Sequence, residues 1–305
     1  MENNSNRDDL KMVIYKAIFI LMVFSGGYGT SFAVPITTNT ALPVSQKEII
    51  VREKIVFSKA QDQQGPVGRE AAGVSVLTVI GYGVTPKLAA FFILPTQYKR
   101  LRTLAGDRDA FGIGDVSLFF RYTVYSRDAV GRTFRIAPFL GIKAPTGDDN
   151  KSDSLGLLPA SLQLGTGSWD VFGGLIVTYA SVDWNLDVQS SFRVNTRHGG
   201  NKAGNLYRGD ISFQYRLLPN KIDRATKGFL YGVIEANLIY QEKNTMNLLF
   251  DQNTGGTTLY IVPGIQYAVR RWVAELAVQI PVIQDLNGTA LGRDFAINTG
   301  LRLNF

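Results

Sequence analysis

Charged and polar side chains recur at every second position in several β-like runs of this sequence. From Arg208 one set is Arg208, Asp210, Ser212, Gln214 and Arg216, and the set between them includes Tyr207, Ile211, Phe213 and Tyr215. From Asp183 the polar set includes Asp187, Gln189 and Arg193, set against Trp184, Leu186, Val188 and Phe192. Successive side chains of a strand face opposite sides, so each run is a ribbon with one wet face and one greasy face. A wall of such ribbons offers charges to a passing or bound solute. Bond-making chemistry has little to work with. The single histidine, His198, lies in a Gly- and Asn-rich stretch, whereas acyl transfer needs a base positioned beside its nucleophile. Cysteine is absent, which removes thiol nucleophiles, disulfides and Cys-based metal sites. Asp148, Asp149, Asn150 and Asp153 offer oxygen ligands without the spacing of a calcium loop, and they read as a solvated acidic loop. No phosphate-cradling glycine loop opens a helix. The sequence is read as that of a non-enzyme with no cofactor and no metal.

Composition fits ribbons. The mean hydropathy of +0.03 and 45% hydrophobic residues exclude a disordered chain and a helical membrane bundle. Gly 31, Tyr 13 and Phe 18 suit strands that turn tightly and carry aromatics. The formal charge of +7 is scattered among acids along the strands with no basic helical stripe, so nucleic acid is not an expected partner.

About twelve runs of spanning length follow one another, the expectation for a transmembrane antiparallel up-and-down β-barrel. They cover residues 48–58, 73–84, 87–97, 112–125, 133–144, 169–180, 183–195, 206–217, 228–241, 257–269, 272–282 and 293–305. The first is the least regular, because Glu53 falls on its apolar face. Short connections alternate with long polar ones near 59–72, 98–111, 145–168, 196–205, 242–256 and 284–292. Short periplasmic turns and long external loops produce that alternation. Aromatics on the outward face collect at the edges: Tyr122, Tyr179, Trp184, Tyr215, Tyr267, Trp272 and the terminal Phe305 at the short-turn end, Trp169 at the other. Two such girdles mark the interfaces of a membrane barrel.

Parity then assigns the lumen. Arg121, Arg135, Lys143, Arg193, Arg208, Arg216 and Arg302 are expected to face inward, with Asp187, Asp210, Glu235 and Glu275. On the lipid face each charge costs up to ~2–4 kcal/mol near the midplane. Phe119, Phe139 and Tyr231 join them as inward aromatics that either line an apolar path or plug it. The charges are either paired struts or a mildly basic constriction favouring small anions.

At the N-terminus, Lys11 and Lys16 precede the apolar run 17–24, and small residues end at Ser31 and Ala33. The pattern predicts a signal peptide over 1–33, cleaved after Ala33; a retained anchor would need ~20 apolar residues. Residues 34–46 are expected to be a polar periplasmic lead-in, and 47–305 the barrel.

Gly112-Ile-Gly-Asp115, the run 141–149 (Gly-Ile-Lys-Ala-Pro-Thr-Gly-Asp-Asp) and the run 164–170 (Leu-Gly-Thr-Gly-Ser-Trp-Asp) resemble, in this order, the outer-membrane proteins named for the meta-pathway of phenol degradation. The resemblance covers roughly residues 112–305, and 34–110 match by pattern alone. Physically, each motif is a loop-to-strand corner: Pro145 has no N–H for the ladder, and the glycines turn the chain. The resemblance implies an outer-membrane barrel linked to uptake of aromatic or other hydrophobic compounds, and it brings no ligand residues. The sequence reading is therefore an exported outer-membrane channel for small organic, aromatic or anionic molecules. The alternative is a non-conducting structural or surface-interaction barrel working through its loops. Expected partners are outer-membrane lipids and lipopolysaccharide, the barrel-assembly machinery through the last strand, and a small-molecule substrate.

Overall fold

The computed structural model describes residues 33–62, 68–223 and 226–305. The predicted signal segment, apart from Ala33, lies outside them. Twelve antiparallel strands close into one barrel: β1 (Ile49–Gln61), β2 (Glu70–Gly83), β3 (Leu88–Thr103), β4, β5 (Arg132–Lys143), β6 (Asp170–Ser181), β7 (Trp184–Val194), β8 (Leu206–Leu218), β9 (Gly228–Gln241), β10 (Gly256–Val269), β11 (Trp272–Leu286) and β12 (Gly292–Asn304). β4 runs in three segments, Gly106–Ile113, Ser117–Tyr122 and Tyr125–Ala129. Each strand pairs with its sequence neighbour. β12 returns to β1, with Ile50 opposite Asn304 and Phe57 opposite Ile297. The ring has no free edge, which lets a sheet sit in lipid with its backbone satisfied.

The alternation of short and long connections holds with one correction. The stretch 98–111, expected as a long loop, is a hairpin turning at residues 104–105, and Thr103 pairs with Gly106. Charges zip it shut: Arg100 and Arg102 both pair with Asp107, and Arg102 also meets Glu70. Gly106 supplies the positive φ of 128° that the turn requires. Lys99, Arg100 and Arg102 therefore stand on a strand. Likewise the connection near 126–132 is a hairpin with its turn at Gly131.

The outer face carries the expected rings. Tyr179 stacks on Trp184 with centroids 4.9 Å apart, and Tyr267 meets Trp272 at 5.7 Å. Trp169, Tyr122 and Tyr215 are exposed on the same surface, and Phe305 continues β12, exchanging backbone hydrogen bonds with Ile49.

Glu53 is the exception on that face. Its cross-strand neighbours are Thr78 on β2 and Leu301 on β12, both outward. Oε2 accepts a hydrogen bond from the Thr78 hydroxyl at 3.1 Å, and Oε1 is buried with no partner among the described residues. An acid in this position costs stability without supporting the wall. Glu53→Leu is expected to stabilise the barrel by about 1–2 kcal/mol, somewhat less than the cost of a lipid-facing Arg or Lys. Urea unfolding in lipid vesicles measures it, and a fall in the midpoint would show that the acid supports the wall.

Candidate functional site: an occluded lumen

All the parity-assigned lumen residues point into the barrel, but the lumen is not an open pore. The lead-in, expected in the periplasm, enters it. Ala33, Ile36 and Ala41 are almost wholly buried, and the chain leaves again past Ser45, which closes over Gly83 at the short-turn end.

The charged wall holds this segment by its backbone. Glu235 accepts the N–H of Ile36 at 2.7 Å and of Thr37 at 2.9 Å. Thr178 takes the N–H of Ala41 at 2.7 Å, and Gln189 takes that of Asn39 at 3.3 Å. Gln266 bonds both the N–H and the carbonyl of Val34. Cations take the other carbonyls. Arg52 and Lys54 both donate to Ile36, Arg208 to Thr37, and Arg121 to Thr40 and Leu42. Apolar contacts complete the fit. Ile36 packs on Val233, Tyr260, Val262 and Ala277, and it fills the space a Cβ would occupy at Gly264, 2.7 Å from Ile36 Cδ1. Ala41 packs on Phe119, Ala137, Phe139 and Ile176.

The physical reason is reciprocal need. Buried carboxylates and guanidinium groups require partners, because a lone charge in a low-dielectric interior is costly. Residues 34–43 carry no charge of their own, so their bare N–H and C=O groups serve as neutral partners of both kinds. Part of the charge is also paired wall to wall: Arg52 with Glu275 at 2.6 Å, Arg208 with Asp210 at 2.8 Å, and Arg216 with Asp183. Arg135 pairs with Asp128 at 3.0 Å. Gln214 bonds Ser212, which bonds Glu235, and Asp187 takes the Thr178 hydroxyl at 2.5 Å. Arg302 lies buried on β12 facing the same space. Beside the segment, Phe91 and Phe119 stack at 4.7 Å, with Phe139 and Phe172 edge-on to Phe119. The Arg121 guanidinium sits 4.9 Å from the Phe91 centroid, and Arg193 sits 5.6 Å from that of Phe172. Tyr231 is buried near the short-turn end with Ala33 and Phe229.

The long-loop end is closed too. The connection from β5 to β6 folds inward, and Leu158, Leu162 and Leu164 pack on Leu101 and Ala110 of the wall. The three motifs singled out in the sequence meet at its base. Asp115 accepts Lys143 Nζ at 2.6 Å, Gly147 N at 3.1 Å and Thr166 N at 3.0 Å. Lys143 also reaches Asp170 at 2.7 Å. Gly147 and Gly165 cross backbone to backbone, where a Cβ on Gly165 would lie 2.2 Å from the Gly147 carbonyl oxygen. The motifs are corners, but corners of one knot. A separated Asp, Lys and Gly–Gly pair is the signal that sequence reasoning had and did not join.

The acidic loop does not gather. Asp153 pairs with Arg108 at 2.7 Å and Asp149 with His198 at 3.1 Å. Among the described residues no group of three His, Cys, Asp or Glu could hold a metal, and no hydroxyl among them bonds His198. Arg108 also donates to the carbonyls of Gly156 and Leu157, clasping the inward loop.

The Arg108 hydrogen bond holds the Asp153 carboxyl below its ordinary range. A depressed carboxylate stabilises the fold above its unfolded pKa, and that contribution is lost as pH falls through the folded value. A spin label on Leu157→Cys, unique because the chain has no cysteine, should become more mobile in Arg108→Ala at neutral pH. In the parent chain it should do so only in acid below the usual carboxylate range. Equal mobility in both proteins at neutral pH would show that the clasp does not hold the loop.

The sequence profile of the MetA-pathway of phenol degradation family matches residues 66–285. The match begins well before the motifs from which the resemblance was read. No curated protein matches the sequence. Among solved structures, the COG4313 outer membrane channel from Pseudomonas putida F1 superposes with a TM-score of 0.63 at 14% identity, over 90% of this chain and 100% of that one. The β domain of the Bordetella autotransporter BrkA aligns with a TM-score of 0.47 at 12% identity, over 85% and 100%. The CymD monoaromatic hydrocarbon channel aligns at 0.40 and 9%, over 85% and 89%. At 14% identity the first likeness is one of fold: the chain has the fold of an outer-membrane β-barrel.

Proposed function

Because the chain belongs to the MetA-pathway of phenol degradation family, we propose that it is an outer-membrane channel for small organic molecules, apolar or aromatic and preferentially anionic. The observation that carries this reading is the lumen wall, where stacked aromatics and guanidinium groups line one path, as Arg121 lies over Phe91. Such a wall suits an apolar body carrying negative charge. In this conformation the path is closed, by the lead-in at mid-barrel and by Leu158, Leu162 and Leu164 at the outer mouth. Passage requires at least the lead-in to shift. Its polar contacts are mainly hydrogen bonds to backbone groups, which water entering the lumen can replace, and its apolar contacts rest chiefly on Ile36 and Ala41.

The same closure favours a second reading, a non-conducting barrel that works through its loops. Flux separates the two. In liposomes, deleting residues 34–45 should raise the entry rate of benzoate by about tenfold or more, and Glu235→Gln should raise it less. A tenfold change corresponds to about 1.4 kcal/mol. If both variants fold, judged by heat-modifiable gel migration, and both stay silent, the channel reading fails and the non-conducting one stands.

A further inference from the structure

The lead-in divides the lumen, and beneath it a cavity of about 790 Å³ opens at the short-turn end. Its inner wall is apolar, with Phe91, Ile93, Phe119 and Tyr231, and its roof is the underside of the lead-in at Leu42 and Pro43. Its charge is one-sided. Seven of the side chains lining it are Arg or Lys, and Glu48 is the one acid. That acid is occupied, accepting the Ser45 N–H at 2.8 Å and the Asn304 side-chain amide at 2.9 Å.

The cations differ in what they have left to give. Arg121 spends its donors on the carbonyls of Thr40 and Leu42, and Arg52 on Glu275 and the lead-in. Arg135 is paired with Asp128. The rim residues Arg132, Lys227 and Arg270 form no ion pair among the described residues, and they stand at or beside three different short turns. Three uncommitted cations around the mouth of an apolar chamber make an electrostatic funnel for an anion.

We infer that this chamber is a binding site for an amphipathic organic carboxylate, its head held by Arg132, Lys227 and Arg270 and its apolar body lying against Phe91, Phe119 and Tyr231. Size narrows the class. A cavity of about 150 Å³ suffices for benzene, so one ring leaves most of this chamber empty. The body is larger than a single ring, on the scale of a fused bicyclic or medium-chain acid. The inference deepens the channel reading by naming a resting place on the periplasmic side, but binding there does not depend on flux.

The test uses the full mature chain in lipid nanodiscs with 2-naphthoate, whose fluorescence anisotropy reports binding, and 2-naphthalenemethanol as the neutral isostere. Naphthoate should bind saturably and about tenfold more tightly than the alcohol. The triple variant Arg132→Ala/Lys227→Ala/Arg270→Ala, altered only at or beside the short turns, should lose about tenfold in naphthoate affinity and leave the alcohol unchanged. Phe119→Ala should weaken both ligands. Equal affinity for acid and alcohol overturns the inference, as does undiminished naphthoate binding by the triple variant. Displacement by inorganic phosphate at equal concentration also overturns it, because the rim would then be a plain anion surface. Binding without flux in the liposome assay would sink the channel reading and leave this site standing; flux without binding would do the reverse.

Discussion

Two backbone N–H groups on one carboxylate anchor the interior. Glu235 is fully buried and receives the N–H groups of Ile36 and Thr37, while its wall neighbour Ser212 donates to it as well. Removing one partner of a buried charge costs ~3–5 kcal/mol, because what remains is desolvated and unpaired. The barrel interior is crowded with such groups. The lead-in supplies what the wall lacks, neutral donors for its acids and neutral acceptors for its cations. A charged side chain in the segment would satisfy one sign only, whereas peptide groups satisfy both.

A second constraint works at the outer mouth. Lys143 stands between Asp115 and Asp170, and the Gly147–Gly165 crossing admits no side chain at either position. These contacts bring both ends of the inward loop to one point of the wall. The leucines of that loop then pack on Leu101 and Ala110 inside the barrel. Arg108 and Asp153 hold its far side. Charge pairing places the loop, and apolar burial fills the opening.

Together the two closures make a lumen of compartments. The outer compartment is filled by leucines, the middle by a peptide hydrogen-bonded to both signs of charge, and the inner one is open, aromatic and basic. From the long-loop end the lining is thus apolar first, of both charges in the middle, and basic last. On the proposed channel reading, that order suits a molecule with a large apolar body and one negative group.

The sequence determined the wall. Period-two alternation, long strands, aromatic edges and the spacing of turns are local properties, and they placed all twelve strands, most of them within a few residues and the third and fourth short by six at their shared hairpin. The one misjudged connection, 98–111, failed because polar residues read as a loop, when Asp107 was in fact pairing with two arginines across a hairpin. Inward and outward faces were legible for the same reason, since parity needs no partner, and Glu53 stood out as a misfit in the sequence itself. What the tertiary structure decided is what fills the wall. Residues 34–46 are uncharged and patternless and read as a polar lead-in. Their fate depends on hydrogen-bond partners 79 to 232 residues away: Arg121, Glu235 and Gln266. The motif residues Asp115, Lys143, Gly147 and Gly165 were visible singly, but their meeting depends on barrel closure. Alternation is written between neighbours in the chain; satisfaction of buried charge is settled across the lumen, and only the closed ring brings those partners within reach.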